Sequence, residues 1–136
     1  MAVGNGMIVR RRSALHGWGI FATHPIPKNK RIIDYAGEKI TSRESWRREE
    51  RYRQRGEIWC FRLNRRWVID AAVGGNLARF INHSCRPNCY SQIVDDTIWI
   101  RAARTIDSGE ELTYNYCTDG KGAIPCRCRP GCKTLL

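Results

Sequence analysis

Long apolar runs are missing from this chain. Nothing in its 136 residues approaches the roughly 20 consecutive apolar residues of a membrane span. The first dozen, MAVGNGMIVRRR, contain no apolar segment of the secretory kind. These absences predict an intracellular protein without a membrane partner. Acidic residues are scarce as well: 13 Asp and Glu stand against 24 Lys and Arg, a formal net charge of +11. Such a surface suits nucleic acid, an acidic protein or an anionic small molecule, and charge alone does not choose among them. Most of these cations are arginine, which favours carboxylate, phosphate and aromatic partners. There is no internal repeat, long linker or low-complexity tract, and the length suits one domain with a single modest core.

Cysteine, by contrast, is plentiful. Seven in a chain of this length, in a reducing compartment, do not read as disulfides. Cys126, Cys128 and Cys132 fall together in PCRCRPGC. Tight spacing with Arg, Pro and Gly between suits thiolates converging on one metal ion. Cys60, Cys85, Cys89 and Cys117 are the others.

Short segments rich in β-branched and aromatic residues predict strands at 7–11, 19–23, 31–35, 58–63 and 67–71. The runs 92–94 and 97–102 flank Asp95-Asp96 and read as a hairpin. A last strand is expected within 110–116. The clearest helix covers 41–55, where Thr41 and Glu44 match a capping box and Glu44–Arg48 and Glu49–Arg53 are spaced for i,i+4 pairs. Its apolar residues are few, and Trp46 and Tyr52 do not share a face, so it reads as a solvated excursion anchored by one aromatic. A shorter helix is predicted at 74–81. The fold class is mainly β with short helices.

The stretch RFINHSCRPNC, 79–89, is too polar for a core strand and too rich in Cys, Asn and His for an ordinary surface loop. Taken with HGWGIF (16–21), DYAGE (34–38), ELTYNY (111–116) and CRCRPGC (126–132), it resembles the SET domain of protein-lysine methyltransferases. The last stretch is similar to that family's zinc-binding post-SET segment. The resemblance runs from about Ile8 to Cys132, and is nearest in flavour to the mixed-lineage-leukaemia and trithorax type.

That resemblance implies a β-clip fold of small sheets with a C-terminal pseudoknot. It implies a SET domain over 1–117, with the charged helix as an insert, and a post-SET-like tail over 118–136. It implies methyl transfer from S-adenosylmethionine to a lysine of a histone-like or other basic protein, stopping at one or two methyl groups. Cofactor contacts fall on His16, Gly17, Trp18, Gly19, Trp59, Asn82, His83 and Arg127, with Asn76 and Arg79 as braces. The glycines would let backbone approach the ligand. Tyr116 takes the position beside the transferring methyl and Tyr114 the position where the family carries Tyr or Phe. Trp59 replaces a frequent family tyrosine of the lysine channel. Zinc would be held by Cys85, Cys126, Cys128 and Cys132, with Cys89 as the rival fourth ligand, while Cys60 and Cys117 would be small buried hydrophobes. The family implies a cytoplasmic location in a bacterium and a chromatin location in a nucleus. Nucleic-acid contact is secondary. A basic zinc-stabilised nucleic-acid module and a catalytically silent peptide binder are the alternative readings.

Overall fold

Among the described residues no strand exceeds six residues, so the core is assembled from several small sheets. The structure is a computed structural model and describes residues 6–117 and 124–136. The expected boundary at 117/118 therefore falls at the edge of a segment outside the described residues. Among the described residues, ten strands form four sheets. Strands β1 (Ile8–Arg12) and β2 (Trp18–Ala22) pair as an antiparallel hairpin. β3 (Arg31–Asp34), β8 (Cys89–Val94) and β9 (Thr97–Ala102) form a second sheet with β9 central. β4 (Glu38–Thr41), β5 (Cys60–Arg62) and β6 (Trp67–Asp70) form a third with β6 central. β7 (Asn82–His83) and β10 (Thr113–Tyr114) pair in parallel.

Period-two alternation places the core. In β9, Ile98, Ile100 and Ala102 point inward and are almost fully buried, while Thr97, Trp99 and Arg101 are half-buried on the other face. Ile20, Ile26, Ile81, Ile106 and Leu112 complete the same cluster. The β8–β9 hairpin turns on Asp95 and Asp96, both with positive φ (50° and 61°). That backbone is the two-residue hairpin loop whose twist matches the strands, and Asp tolerates it better than most residues.

The helix α1 (Ser42–Gln54) forms where expected, with differences in how it is held. Thr41 Oγ1 accepts the Glu44 amide at 3.2 Å. Glu44 does not complete the box: its carboxylate turns to Arg47 (2.6 Å) and Arg48 (2.8 Å), which hold its pKa down at about 2. Arg53 pairs with Glu50 at i,i+3 instead of Glu49. Trp46 is 66% exposed, so the anchoring aromatic is Tyr52. Tyr52 and Arg48 reach the fully buried Asp70 of β6, through O–H···O at 2.7 Å and Nη1···Oδ2 at 2.9 Å. Arg48 also meets Glu38 of β4 at 2.7 Å. The other Asp70 oxygen accepts the Ala72 amide at 2.9 Å. Asp70 thus gains the partners that burial of a charge demands, and it fastens α1 to its sheet. The predicted helix at 74–81 is only a 3-10 turn, Leu77–Phe80, capped by Asn76, which also donates to the Asp34 carbonyl at 2.9 Å. A glycine pair at 74–75, one at positive φ, delays helical backbone until Leu77.

Removing one member of a buried ion pair typically costs about 3–5 kcal/mol, because the other is stranded. Asp70→Ala should therefore lower stability by about that much in urea titration, and Tyr52→Phe by about 1 kcal/mol. A loss below about 1 kcal/mol in Asp70→Ala would show that α1 is held by something else.

Candidate active site and metal centre

Two residues of parallel pairing assemble the site. The register Thr113↔Asn82 and Tyr114↔His83 lays segment 79–88 beside 111–116, the juxtaposition that a C-terminal pseudoknot requires. So short a ladder needs support, and Asn88 provides it. Its amide donates to the Glu111 carbonyl (2.9 Å) and its carbonyl oxygen accepts the Thr113 amide (2.9 Å).

Asn82 then draws in the HGWG segment. Its side-chain amide faces the carbonyls of His16 (3.1 Å) and Trp18 (2.9 Å) and the Glu111 carboxylate (2.9 Å), three acceptors for two hydrogens. The same carboxylate receives the Ser13 hydroxyl at 2.8 Å. Gly17 has a positive φ (47°), which glycine adopts without strain. Gly19 is placed differently from Gly17. It lies in β2, off the cleft described below, and a Cβ there would run into the Glu111 carboxylate. Glu111 was not singled out from the sequence. Its contacts lie 29 and 98 residues away, and no local pattern marks them.

His83 is buried, and its ring turns inward. Nδ1 accepts the Tyr116 amide at 3.0 Å, so the ring proton sits on Nε2, 3.5 Å from Cys85 Sγ. Burial lowers its pKa, which keeps the ring neutral. The side chain is thus a satisfied internal histidine that joins Tyr116 to Cys85, and only its neighbour Asn82 turns its amide to the HGWG segment.

Tyr116 donates its hydroxyl to the Ile81 carbonyl at 2.5 Å. Its ring lies 4.9 Å from Tyr114, which stacks on Phe61 at 5.8 Å, and Phe61 lies 5.1 Å from Tyr35. The Tyr35 hydroxyl is tied to the Trp59 carbonyl at 2.7 Å. Burial pushes all three phenols up from their ordinary value, so they stay protonated and act as hydrogen-bonding groups.

Two clefts meet at this aromatic array. The first, about 210 Å³, brings together His16, Gly17, Trp18, Trp59, Asn82, His83, Tyr116 and Arg127; Tyr114 lies behind the wall. Arg79 lines it too, with its guanidinium over the rings of Trp59 (5.1 Å) and Phe80 (4.8 Å). Its buried Nε has no hydrogen-bond partner among the described residues. Arg10 and Arg12 flank the Trp18 ring at 4.5 and 4.2 Å. A guanidinium held by the Ala71 carbonyl (Nη1, 3.3 Å) beside glycine backbone and aromatic rings fits a ligand with a carboxylate and a flat base, as S-adenosylmethionine has. The second cleft, about 340 Å³, shares Trp59, Tyr116 and Leu136 with the first and extends along α1.

The tail closes both clefts. Residues 124–136 fold back on themselves through a Pro125↔Leu135 bridge and the Cys126 amide donating to the Thr134 carbonyl (2.9 Å). Sγ atoms of Cys85, Cys126, Cys128 and Cys132 all lie within 4.8 Å of one another. Cys85 is 3.8 Å from Cys126 and 3.9 Å from Cys132. A tetrahedral zinc with bonds of about 2.3 Å has sulfur–sulfur edges of about 3.8 Å, so this cluster fits the ion. The Thr134 amide and hydroxyl hold the Cys132 thiol down to about 6, toward the thiolate that ligation needs. Cys89 packs in the core at 1% exposure, apart from the cluster. Cys60 is half-buried and Cys117 exposed, so neither is the buried hydrophobe expected. Cys117 has a positive φ (56°), which turns it out of the strand.

The fold and this cleft define a class. A family description, the SET domain, matches residues 17–117, and the chain belongs to that family. Among similar proteins, the "Histone-lysine N-methyltransferase, H3 lysine-4 specific" of Yarrowia lipolytica is 42% identical over 92% of this chain and 12% of its own length. The "Histone-lysine N-methyltransferase trithorax" of Drosophila virilis is 48% identical over 86% of this chain and 3% of its own. ATXR7 of Arabidopsis thaliana, also named a histone-lysine N-methyltransferase, is 44% identical over 87% and 9%. The chain thus spans between 3% and 14% of the length of these and similar curated relatives. A solved structure, a humanized mutant of the Chaetomium thermophilum Polycomb Repressive Complex 2 bound to the inhibitor GSK126, superposes with a TM-score of 0.71 at 37% identity. It covers 81% of this chain and 15% of that one.

Metal analysis of purified protein should find about one zinc per chain. Cys85→Ser should lose most of it, while Cys89→Ser should keep it and lose stability instead. The reverse pattern would move the fourth ligand to Cys89.

Proposed function

We propose that this chain transfers a methyl group from S-adenosylmethionine to a lysine amine of a histone-like, basic protein. The observation that carries this reading is the pair of clefts that share Tyr116 and Trp59. One suits a cofactor, the other a peptide, and reaction at their junction needs both. The names of the similar proteins support histone as the substrate and chromatin as the place of action.

Bound S-adenosylmethionine supplies a methyl on a positively charged sulfur, open to direct displacement. The protein's part is to align a neutral amine with it. A free lysine has a pKa of about 10.4, and an apolar aromatic channel disfavours its charged form. Tyr35, Phe61, Tyr114 and Tyr116 would supply that channel. The Tyr116 hydrogen is committed to the Ile81 carbonyl, which leaves oxygen lone pairs to accept from the amine and from the polarised methyl C–H groups. A phenol kept protonated by burial is a poor general base, so proton removal falls to water. Asn82, His16 and Trp18 would shape the cofactor wall, with Arg79 and Arg127 beside it. Zinc on the four cysteines would pin the tail that closes both clefts. Tyr114 would limit the number of methyl groups by keeping a polar group where further methyls must fit.

Radiolabel transfer onto histone should be seen with wild type. Tyr116→Phe should cut turnover roughly a hundredfold or more with little change in cofactor affinity, since the hydroxyl acts at the reacting centre. Unchanged turnover at saturation would remove Tyr116 from the chemistry. In wild type, mass spectrometry of a methylated peptide should find mainly one or two methyl groups. Displacing a polar partner from Tyr114 costs about 1–3 kcal/mol, so Tyr114→Phe should shift products upward. Predominant trimethylation by both proteins would exclude Tyr114 as the limit.

A further inference from the structure

The second cleft carries an unexpected charge for so basic a chain. Its α1 wall is Glu49, Tyr52 and Arg53, and Glu57, Cys60 and Arg62 also line it. Both arginines are committed elsewhere. Arg53 Nη1 is held by Glu50 at 3.0 Å. Arg62 Nη1 donates to Ser42 Oγ (3.1 Å) and to the carbonyls of Asn64 (3.0 Å) and Arg65 (3.3 Å). The carboxylates left facing the cleft are Glu57, braced by the Trp59 indole N–H at 3.2 Å, and Glu49. Glu49 is half-buried and forms no salt bridge among the described residues; burial is the chief cause raising its pKa, the charges of Arg53 and Arg62 pull it back from a distance, and its side chain hydrogen-bonds the Cys60 thiol. Three positions toward the helix N-terminus, and so on the same face, stands the 66% exposed Trp46. A tryptophan so exposed adds little to the core.

Resting on the methyltransferase reading, we propose that Glu49 and Trp46 form a subsite for a second cation of the substrate, an arginine or lysine flanking the lysine to be methylated. A half-desolvated carboxylate without an ion pair gains most from a cationic partner. An indole face attracts the same groups, arginine above all. A guanidinium can lie flat on Trp46 and turn an edge to Glu49. Glu57, which lines both clefts, adds attraction for the incoming ammonium. The subsite selects basic segments of protein and disfavours acidic ones, although the molecule as a whole repels cations.

The test uses a series of fluorescent peptides, each with one acceptor lysine. Arginine or its uncharged analogue citrulline is placed at one flanking position at a time. Binding is read by anisotropy and kcat/KM by radiolabel transfer, for wild type, Glu49→Gln, Trp46→Ala and Glu49→Arg, with thermal melting as the check on folding. In wild type, at least one position should favour arginine by roughly tenfold, the size of a charge-assisted hydrogen bond. Glu49→Gln should erase most of that ratio, Trp46→Ala part of it, and Glu49→Arg should favour glutamate there. Should Glu49→Arg fail to fold, Glu49→Gln and Trp46→Ala decide. No preference in wild type, or an equal preference in Glu49→Gln, overturns the subsite. Charge-dependent binding without methyl transfer leaves the subsite standing and overturns the catalytic reading. Transfer without charge preference does the reverse, and the absence of both overturns both.

Discussion

The need to pair polar groups across a half-buried junction governs this structure, and the Glu111 carboxylate is where that need is met. It sits beside two of the shortest strands in the molecule, accepts from Ser13 and Asn82, and fills the space that Gly19 leaves open. Around it the HGWG segment, the NHSC segment and the last strand are bound into one wall. A two-residue ladder contributes few hydrogen bonds of its own. Side-chain clasps from Asn82 and Asn88 add the bonds that the ladder lacks. The cleft inherits its shape from that junction.

The cysteine cluster is coupled to the aromatic array by a single imidazole. His83 takes the Tyr116 amide on one nitrogen and presents the other to Cys85. A residue that fixes a catalytic candidate on one side and a candidate metal ligand on the other gives the tail a direct mechanical hold on the site. On the opposite flank, Asp70 plays the equivalent part for α1, whose side chains form the outer wall of the second cleft.

Much of this was legible in the sequence where it depended on local pattern. β9 alternates, Thr41 caps a helix, and the Asp-Asp turn separates two strands. The four cysteines that converge were also legible, through a motif rather than a distance rule. What escaped was set by tertiary contact. Glu49 and Glu50 offer Arg53 similar local spacings, and in the folded chain the salt bridge goes to Glu50 while Glu49 also meets Cys60. Trp46 looks like an anchor by composition, yet Tyr52 anchors because Asp70 stands beneath it. That Gly19 leaves room for the Glu111 carboxylate shows only in the folded chain. Cys117 lies three residues beyond the last strand, where its left-handed backbone and exposure are not marked by local pattern.

The Ser13–Glu111 bond, 98 residues apart in sequence, sets an order of events as well as a geometry. Pairings so distant are slow to form, because the loop between them must first give up its freedom. During synthesis the hairpin β1–β2 and the hairpin β8–β9 can form as soon as each emerges. The wall between the HGWG and NHSC segments must wait until residue 111 has left the ribosome. A nascent chain can therefore carry nearly all of its strands and still lack the first cleft, so any ligand of that cleft can stabilise only molecules that have already completed their topology.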